Sequence, residues 1–217
     1  MPYRKVELYS NGIYHIFTRS IAGFKIFNAS DDYERMRKLI FFYAIKKTPC
    51  KFSCFLGSGE KDFEKRICGD KLVRILAYCL MPTHVHLLVE QLEDKGISRF
   101  INLVLKSYSA YFNLKHKRRG PLWEGRFKNV LVDTDDKFLH LTRYIHLNPV
   151  SASIVERPQD WKFSSFDDYM KESNLSGSMT CEFSKYIDMR PEDYKKFVED
   201  RIDYQRMLEH IKHLTIE

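Results

Sequence analysis

Two histidines one residue apart, His84 and His86, interrupt LMPTHVHLLVE (80–90), a run otherwise suited to the interior of a sheet. Side chains at i and i+2 of a strand share a face, so the two imidazoles are neighbours, about 6–7 Å apart at the backbone. Neutral imidazole is a good ligand for divalent transition metals, and two such groups on a rigid strand make half a metal site. The same tripeptide also suits two core histidines that each hydrogen-bond a neighbour. A metal would need a third ligand from elsewhere in the chain.

RYIHLNP (143–149) offers one. Tyr144 and Asn148 stand at i and i+4, on one face of a helix. An amide oxygen is a plausible hard ligand beside two imidazoles, and a phenol is a possible nucleophile. Alternatively, Tyr144 packs and Asn148 simply ends the helix before Pro149. The chain holds 13 tyrosines, so one alone carries little weight. Tyr108 and Tyr111 lie on an apolar helix face and read as core.

Anion-binding residues cluster between these two elements. KHKRR (115–119) supplies Lys115, Lys117, Arg118 and Arg119, and Arg126 and Lys128 follow. Trp123 and Phe127 interleave the cations, as stacking on unpaired bases requires. The other reading is a solvated helix end with Trp123 in the core. Arg19, on the first predicted strand, is a further candidate for a phosphate contact.

The elements that must position these residues can be read from periodicity. GIYHIFTR (12–19) alternates and predicts a strand. SDDYERMRKLIFFYAIKK has helical spacing, with Ser30 as a candidate N-cap and acidic residues in its first turn. KFSCFLGSG suggests a strand and turn, and 58–70 a charged loop. KLVRILAYCLM and HVHLLVEQ, joined by a short turn, predict an antiparallel pair. From Ile97 an amphipathic helix runs to KHKRRGP, where Gly120 and Pro121 stop it. LWEGRFKNVLV (122–132) suggests a strand. Thr134 and Asp135 cap a third helix, with Pro149 as its expected end. Residues 161–170 look turn-like, and the last thirty look helical. The order favours an α+β domain, ferredoxin-like, with a mainly antiparallel sheet and helices packed on it. The expected division is a domain over 1–170 and a C-terminal helical extension over 171–217.

Composition sets the outer bounds. Hydrophobic residues make up 44% of the 217 and charged residues 30%, which supports a packed core rather than disorder. No apolar run is long enough to span a membrane, and MPYRKVELYSNG lacks the apolar segment of a signal peptide. A cytosolic location is expected. Lys and Arg number 36 against 29 Asp and Glu, a net +7, which favours a polyanionic partner. The five cysteines form no matched zinc pattern, and buried free thiols are expected.

Taken in order, five segments make the sequence recognisable. YHIFTR (14–19), IFNASDDYERM (26–36), MPTHVHLLVE (81–90), LWEGRFKNVLV (122–132) and RYIHLNPVSASIVERPQDWKFSSF (143–166) resemble the single-tyrosine HUH transposases, most closely the REP-associated tyrosine transposase group. The likeness covers about residues 8–170. It implies a metal-binding pair at His84 and His86, a nucleophilic Tyr144 and a third ligand at Asn148, with Mg²⁺ or Mn²⁺ as cofactor. It implies cleavage and rejoining of single-stranded DNA beside a hairpin, through a 5′-phosphotyrosine link, by a monomer or homodimer. A catalytically silent single-stranded nucleic-acid-binding protein of the same fold is the alternative. The insertion 50–70 is longer than the family pattern suggests, and Ser151 stands where a basic residue is usual.

Overall fold

The computed structural model describes residues 7–57, 63–171 and 179–214. Four strands form one antiparallel sheet in the order β2-β3-β1-β4. They are β1 (Ile13–Arg19), β2 (Val73–Met81), β3 (His84–Gln91) and β4 (Lys128–Val132). Helix α1 (Ser30–Tyr43) lies between β1 and β2, and α4 (Gly96–Lys115) between β3 and β4. This βαββαβ order with its antiparallel central pair is the ferredoxin-like arrangement expected from the sequence.

Alternation sorts the sheet into two faces. His15, Phe17 and Arg19 of β1 lie opposite Leu88, His86 and His84 of β3, and Cys79 and Met81 of β2 pair with His86 and His84. This is the polar face. The other face carries Tyr14, Ile16, Val85, Leu87 and Val89, all fully or almost fully buried. Helix α1 packs there through Phe41, whose ring lies 6.0 Å from that of Tyr78. Helix α4 buries Ile97, Phe100, Ile101, Val104, Leu105, Tyr108 and Phe112, the stripe its spacing predicted. Gly96 opens it because a Cβ there would come within 2.5 Å of the Leu72 carbonyl oxygen.

Helix α5 (Asp135–Ser151) covers the polar face, with the Thr134 hydroxyl accepting from the Lys137 N–H at 3.2 Å. It runs through Pro149, where a stop was expected. Pro149 sits in the last turn, so only one intrahelical bond is forgone before the helix ends. Ser30 also departs from expectation. It is the first helical residue of α1, and the Asp32 carboxylate does the capping, accepting from the Asn28 and Ala29 N–H groups at 2.9 and 3.1 Å.

The insertion is helical where a strand and a loop were expected. Helix α2 (Phe52–Gly57) and the single turn α3 (Phe63–Arg66) bury Phe52, Phe55 and Phe63. Phe42 of α1 meets Phe52 and Phe55 at 5.2 and 4.9 Å, so aromatic packing overrides the weak local alternation. Cys50, Cys54 and Cys68 are exposed; only Cys79 and Cys181 are the buried thiols expected.

Past residue 155 the chain is more ordered than its pattern suggested. Phe163, Ser164 and Ser165 run beside the edge strand β2, with the Leu80 N–H donating to the Phe163 carbonyl at 2.9 Å. The Trp161 indole N–H donates to the Leu80 carbonyl at 3.1 Å. This covers an edge that would otherwise be open to another strand. After the turn α6 (Phe166–Tyr169), helices α7 (Pro191–Glu199) and α8 (Ile202–Leu214) pack on α5. The expected boundary near 170 falls beside residues 172–178, which lie outside the described residues. Among the described residues no helix is long and apolar enough to cross a membrane.

Candidate active site

The site forms where the polar face of the sheet meets α5. On β3 the rings of His84 and His86 lie 4.9 Å apart, on one face as their spacing required. Tyr144 of α5 stands edge-on to both the His86 and the His15 ring, with centroids 5.7 and 6.1 Å away. Asn148, one turn further on, donates its amide N–H to the Tyr144 carbonyl at 2.8 Å. That bond orients the amide and leaves the oxygen as the group it can present to a ligand. Tyr144 and Asn148 are both half-buried, while their neighbours Ile145, His146 and Leu147 are wholly buried and fix the helix on the sheet.

Each imidazole has its Nδ1 engaged by the protein. Nδ1 of His84 lies 2.9 Å from the Thr83 hydroxyl, and Nδ1 of His86 lies 3.0 Å from Nε2 of His15. His15 and His86 are both only 6% exposed. Burial, reinforced by the neighbouring His15, His84 and Arg19, holds the His86 pKa well below its ordinary value. Burial alone lowers that of His15 to about 4. Both rings are therefore neutral at neutral pH, the form that ligates a metal, and they share one proton across their contact. Among the described residues no group of three His, Cys, Asp or Glu side chains is placed to hold a metal ion. The residues that could hold a cation here are two imidazoles and an amide.

Beside the histidines a cavity of about 370 Å³ is lined by Phe17, Thr18, Arg19, Glu124, Gly125, Arg126 and Lys128. Its apolar wall is the Phe17 ring, stacked between the site and the cavity at 5.2 Å from His15 and 6.1 Å from His86. Register places its cations. Arg19 lies opposite His84, and Lys128 opposite Phe17. Three of the predicted DNA-binding residues, Arg19, Arg126 and Lys128, thus line one cavity, and Arg19 reaches it from the position opposite His84.

The remaining predicted contacts disperse. Lys115 turns inward to the buried Asp32 carboxylate at 2.5 Å. Arg118 is fixed by the Asn113 side chain and the Pro121 carbonyl at 2.9 and 2.7 Å. Lys117 and Arg119 follow the end of α4, away from this cavity. Trp123 is half-buried against α4 with its N–H donating to the Ser109 hydroxyl at 2.9 Å, and Phe127 is buried. Phe127 is therefore not presented for stacking, while Trp123 keeps part of its surface exposed.

Sequence reasoning missed His15 and Phe17. Their common signal was present, since alternate residues of β1 face the same side as Arg19. What the sequence could not supply was the register that sets them against His86.

Residues 59–148 match the family model "Transposase IS200 like". A Haemophilus influenzae protein provisionally named a REP-associated tyrosine transposase is 28% identical over 112 residues, 47% of this chain and 64% of its own length. The chain thus spans just under two thirds of that curated relative. The solved structure of a REP-associated tyrosine transposase bound to a REP hairpin superimposes with a TM-score of 0.53 at 17% identity, over 87% of this chain and 99% of that one. At that identity the likeness is one of fold. By sequence pattern, curated relative and fold together, this chain resembles the REP-associated tyrosine transposases, and its residues 59–148, which include His84, His86, Tyr144 and Asn148, carry the IS200-like transposase match.

Proposed function

We propose that this protein cleaves and rejoins single-stranded DNA beside a hairpin, with Tyr144 as the nucleophile. The observation that carries the reading is the placement of the Tyr144 ring 5.7 Å from the His86 ring, with Asn148 one turn on and the Arg19, Arg126 and Lys128 cavity alongside. The curated relative and the hairpin-bound structure support it.

In the proposed step the Tyr144 Oη attacks the scissile phosphorus in line. The new bond joins Oη to phosphorus, and the bond from phosphorus to the 3′-oxygen breaks. The phenolic proton ends, by way of solvent, on the departing 3′-oxygen. The products are a 5′-phosphotyrosyl link and a free 3′-hydroxyl. No water enters the linkage, so a second 3′-hydroxyl can reverse the step and join a new strand. A free phenol has a pKa of about 10, so attack at neutral pH needs its developing charge stabilised. Arg19, Arg126 and Lys128 neutralise the flanking phosphates and hold the strand against Phe17.

The donor set fits a divalent cation. The residues that would hold it are His84, His86 and, through its amide oxygen, Asn148. Mn²⁺ matches imidazole better than Mg²⁺ does, and either would polarise the scissile phosphate and stabilise its charge.

The test is a denaturing gel after incubation of the full chain with hairpins taken from the DNA flanking its gene, with Mn²⁺. A shifted covalent band that disappears in Tyr144→Phe is the expected result. Free nicked product without an adduct would indicate hydrolysis by water. Binding with neither product would indicate a silent nucleic-acid-binding protein.

A further inference from the structure

The connection from β1 to α1 places one aromatic ring in solvent. Phe24 is 52% exposed. The loop that carries it is pinned at both ends. The buried Ser20 donates its N–H to the Thr83 carbonyl at 2.9 Å and its hydroxyl to the Phe24 carbonyl at 2.6 Å. The Ile21 and Ile26 N–H groups donate to the Leu122 and Pro82 carbonyls at 3.0 and 2.9 Å. Between the pins, Ala22 and Gly23 take left-handed φ values of 51° and 65°, a conformation an alanine rarely adopts. Such local strain persists only where surrounding contacts hold it.

Phe24 forms one wall of a cavity of about 410 Å³ that also includes Lys25, Asn28, Phe112, His116 and Arg118. Phe112 is 1% exposed and forms the floor. The His116 ring lies 4.3 Å from it. The Arg118 guanidinium stands 5.8 Å from the Phe24 ring centre, held there by Asn113 and Pro121. The slot thus has aromatic walls and a cationic rim.

That combination selects its occupant. An aliphatic group would use the walls and leave the cations unmatched, and an acidic side chain would do the reverse. A flat, uncharged π-system on a polyanionic backbone satisfies both, which is the chemistry of an unpaired nucleobase with its phosphates. Thr83 ties the slot to the site described above. Its carbonyl holds Ser20, and its hydroxyl meets His84.

We propose that the slot between Phe24, Phe112 and His116 receives one unpaired base of the DNA strand whose phosphate reaches Tyr144, with Lys25 and Arg118 against the adjoining phosphates. This rests on the function proposed above and adds to it a position that reads the strand away from the cleaved bond.

The experiment uses the full chain and gene-flanking hairpins with short single-stranded flanks, 2-aminopurine replacing one flank base at a time. Stacking in the slot quenches the probe at one position. Phe24→Leu keeps the apolar volume and loses the ring. It is expected to abolish that quench and weaken hairpin binding about tenfold. Phe24→Tyr should retain the quench, which separates loss of the ring from misfolding. Lys25→Gln should retain it too, while lowering the salt dependence of binding by about 0.7 in log–log slope. If the hairpin binds and no flank position is quenched, or the quench survives Phe24→Leu, this inference is wrong and the proposed function stands. If the wild type binds no hairpin, both fall together.

Discussion

Acid should unfold this protein through its buried histidines. His146 on α5 is wholly buried, with Nδ1 2.8 Å from the Tyr194 hydroxyl and Nε2 2.8 Å from the Ser165 hydroxyl. Burial lowers its pKa to about 3, and that of His15 to about 4. An unfolded histidine titrates near 6.5. Both folded values are depressed, so each group's stabilising contribution is complete above about pH 6.5 and is lost as pH falls toward the folded value. Between those limits the unfolded chain takes up one more proton per histidine, and stability falls by about 1.4 kcal/mol per pH unit for each. From pH 7 to pH 5 each histidine therefore removes about 2 kcal/mol, and the two together about 4 kcal/mol. His86, also depressed, acts in the same direction. Against a total stability of about 5–15 kcal/mol this is a large fraction. The assay is urea unfolding at intervals between pH 7 and pH 5. His146→Gln supplies the control, because its amide can still bond Tyr194 and Ser165 but does not titrate. Whatever its absolute stability, its slope against pH should be shallower by about 1.4 kcal/mol per unit. Equal slopes in the two proteins would refute the reasoning.

Further consequences concern the site and its supports. His15→Phe keeps a ring beside Phe17 but loses the hydrogen-bond partner of His86, and Mn²⁺ affinity measured by calorimetry should fall about 10- to 100-fold while His15→Gln retains more of it. Asp32→Asn should cost about 3 kcal/mol in thermal or urea unfolding, because that wholly buried carboxylate caps α1 and accepts from Tyr111 and Lys115 at 2.7 and 2.5 Å. Lys128→Gln should weaken hairpin binding and lower its salt slope by about 0.7, the loss of one phosphate contact. An unchanged slope would remove Lys128 from the DNA path.

Much of this arrangement was legible in the residues. The βαββαβ order followed from alternation in 12–19, from the two apolar runs joined by a short turn within 71–91 and from helical spacing after Ile97. The common face of His84 and His86, and of Tyr144 and Asn148, followed from period alone. What failed did so for reasons of tertiary contact. Residues 52–57 became helical because Phe52 and Phe55 find Phe42, a contact local propensity does not contain. Lys115 is tied to Asp32, far away in sequence and buried beneath it, a partner that composition does not reveal. Phe127 had the composition of a stacking ring, but the core takes its faces, and Trp123 is half-buried against α4. His15, Phe17 and Phe24 went unremarked because strand register and a left-handed loop, neither of them visible in composition, give them their positions.

The central claim is that the Tyr144 oxygen carries the DNA. Its most direct test is to trap the wild-type chain with a gene-flanking hairpin and Mn²⁺, digest the denatured product with protease and nuclease, and locate the attached nucleotide by mass spectrometry. The expected result is a 5′-nucleotide on Tyr144, and none elsewhere in the chain. Attachment to another residue such as Tyr108 or Tyr111, or strand cleavage that leaves the protein unmodified, would contradict it.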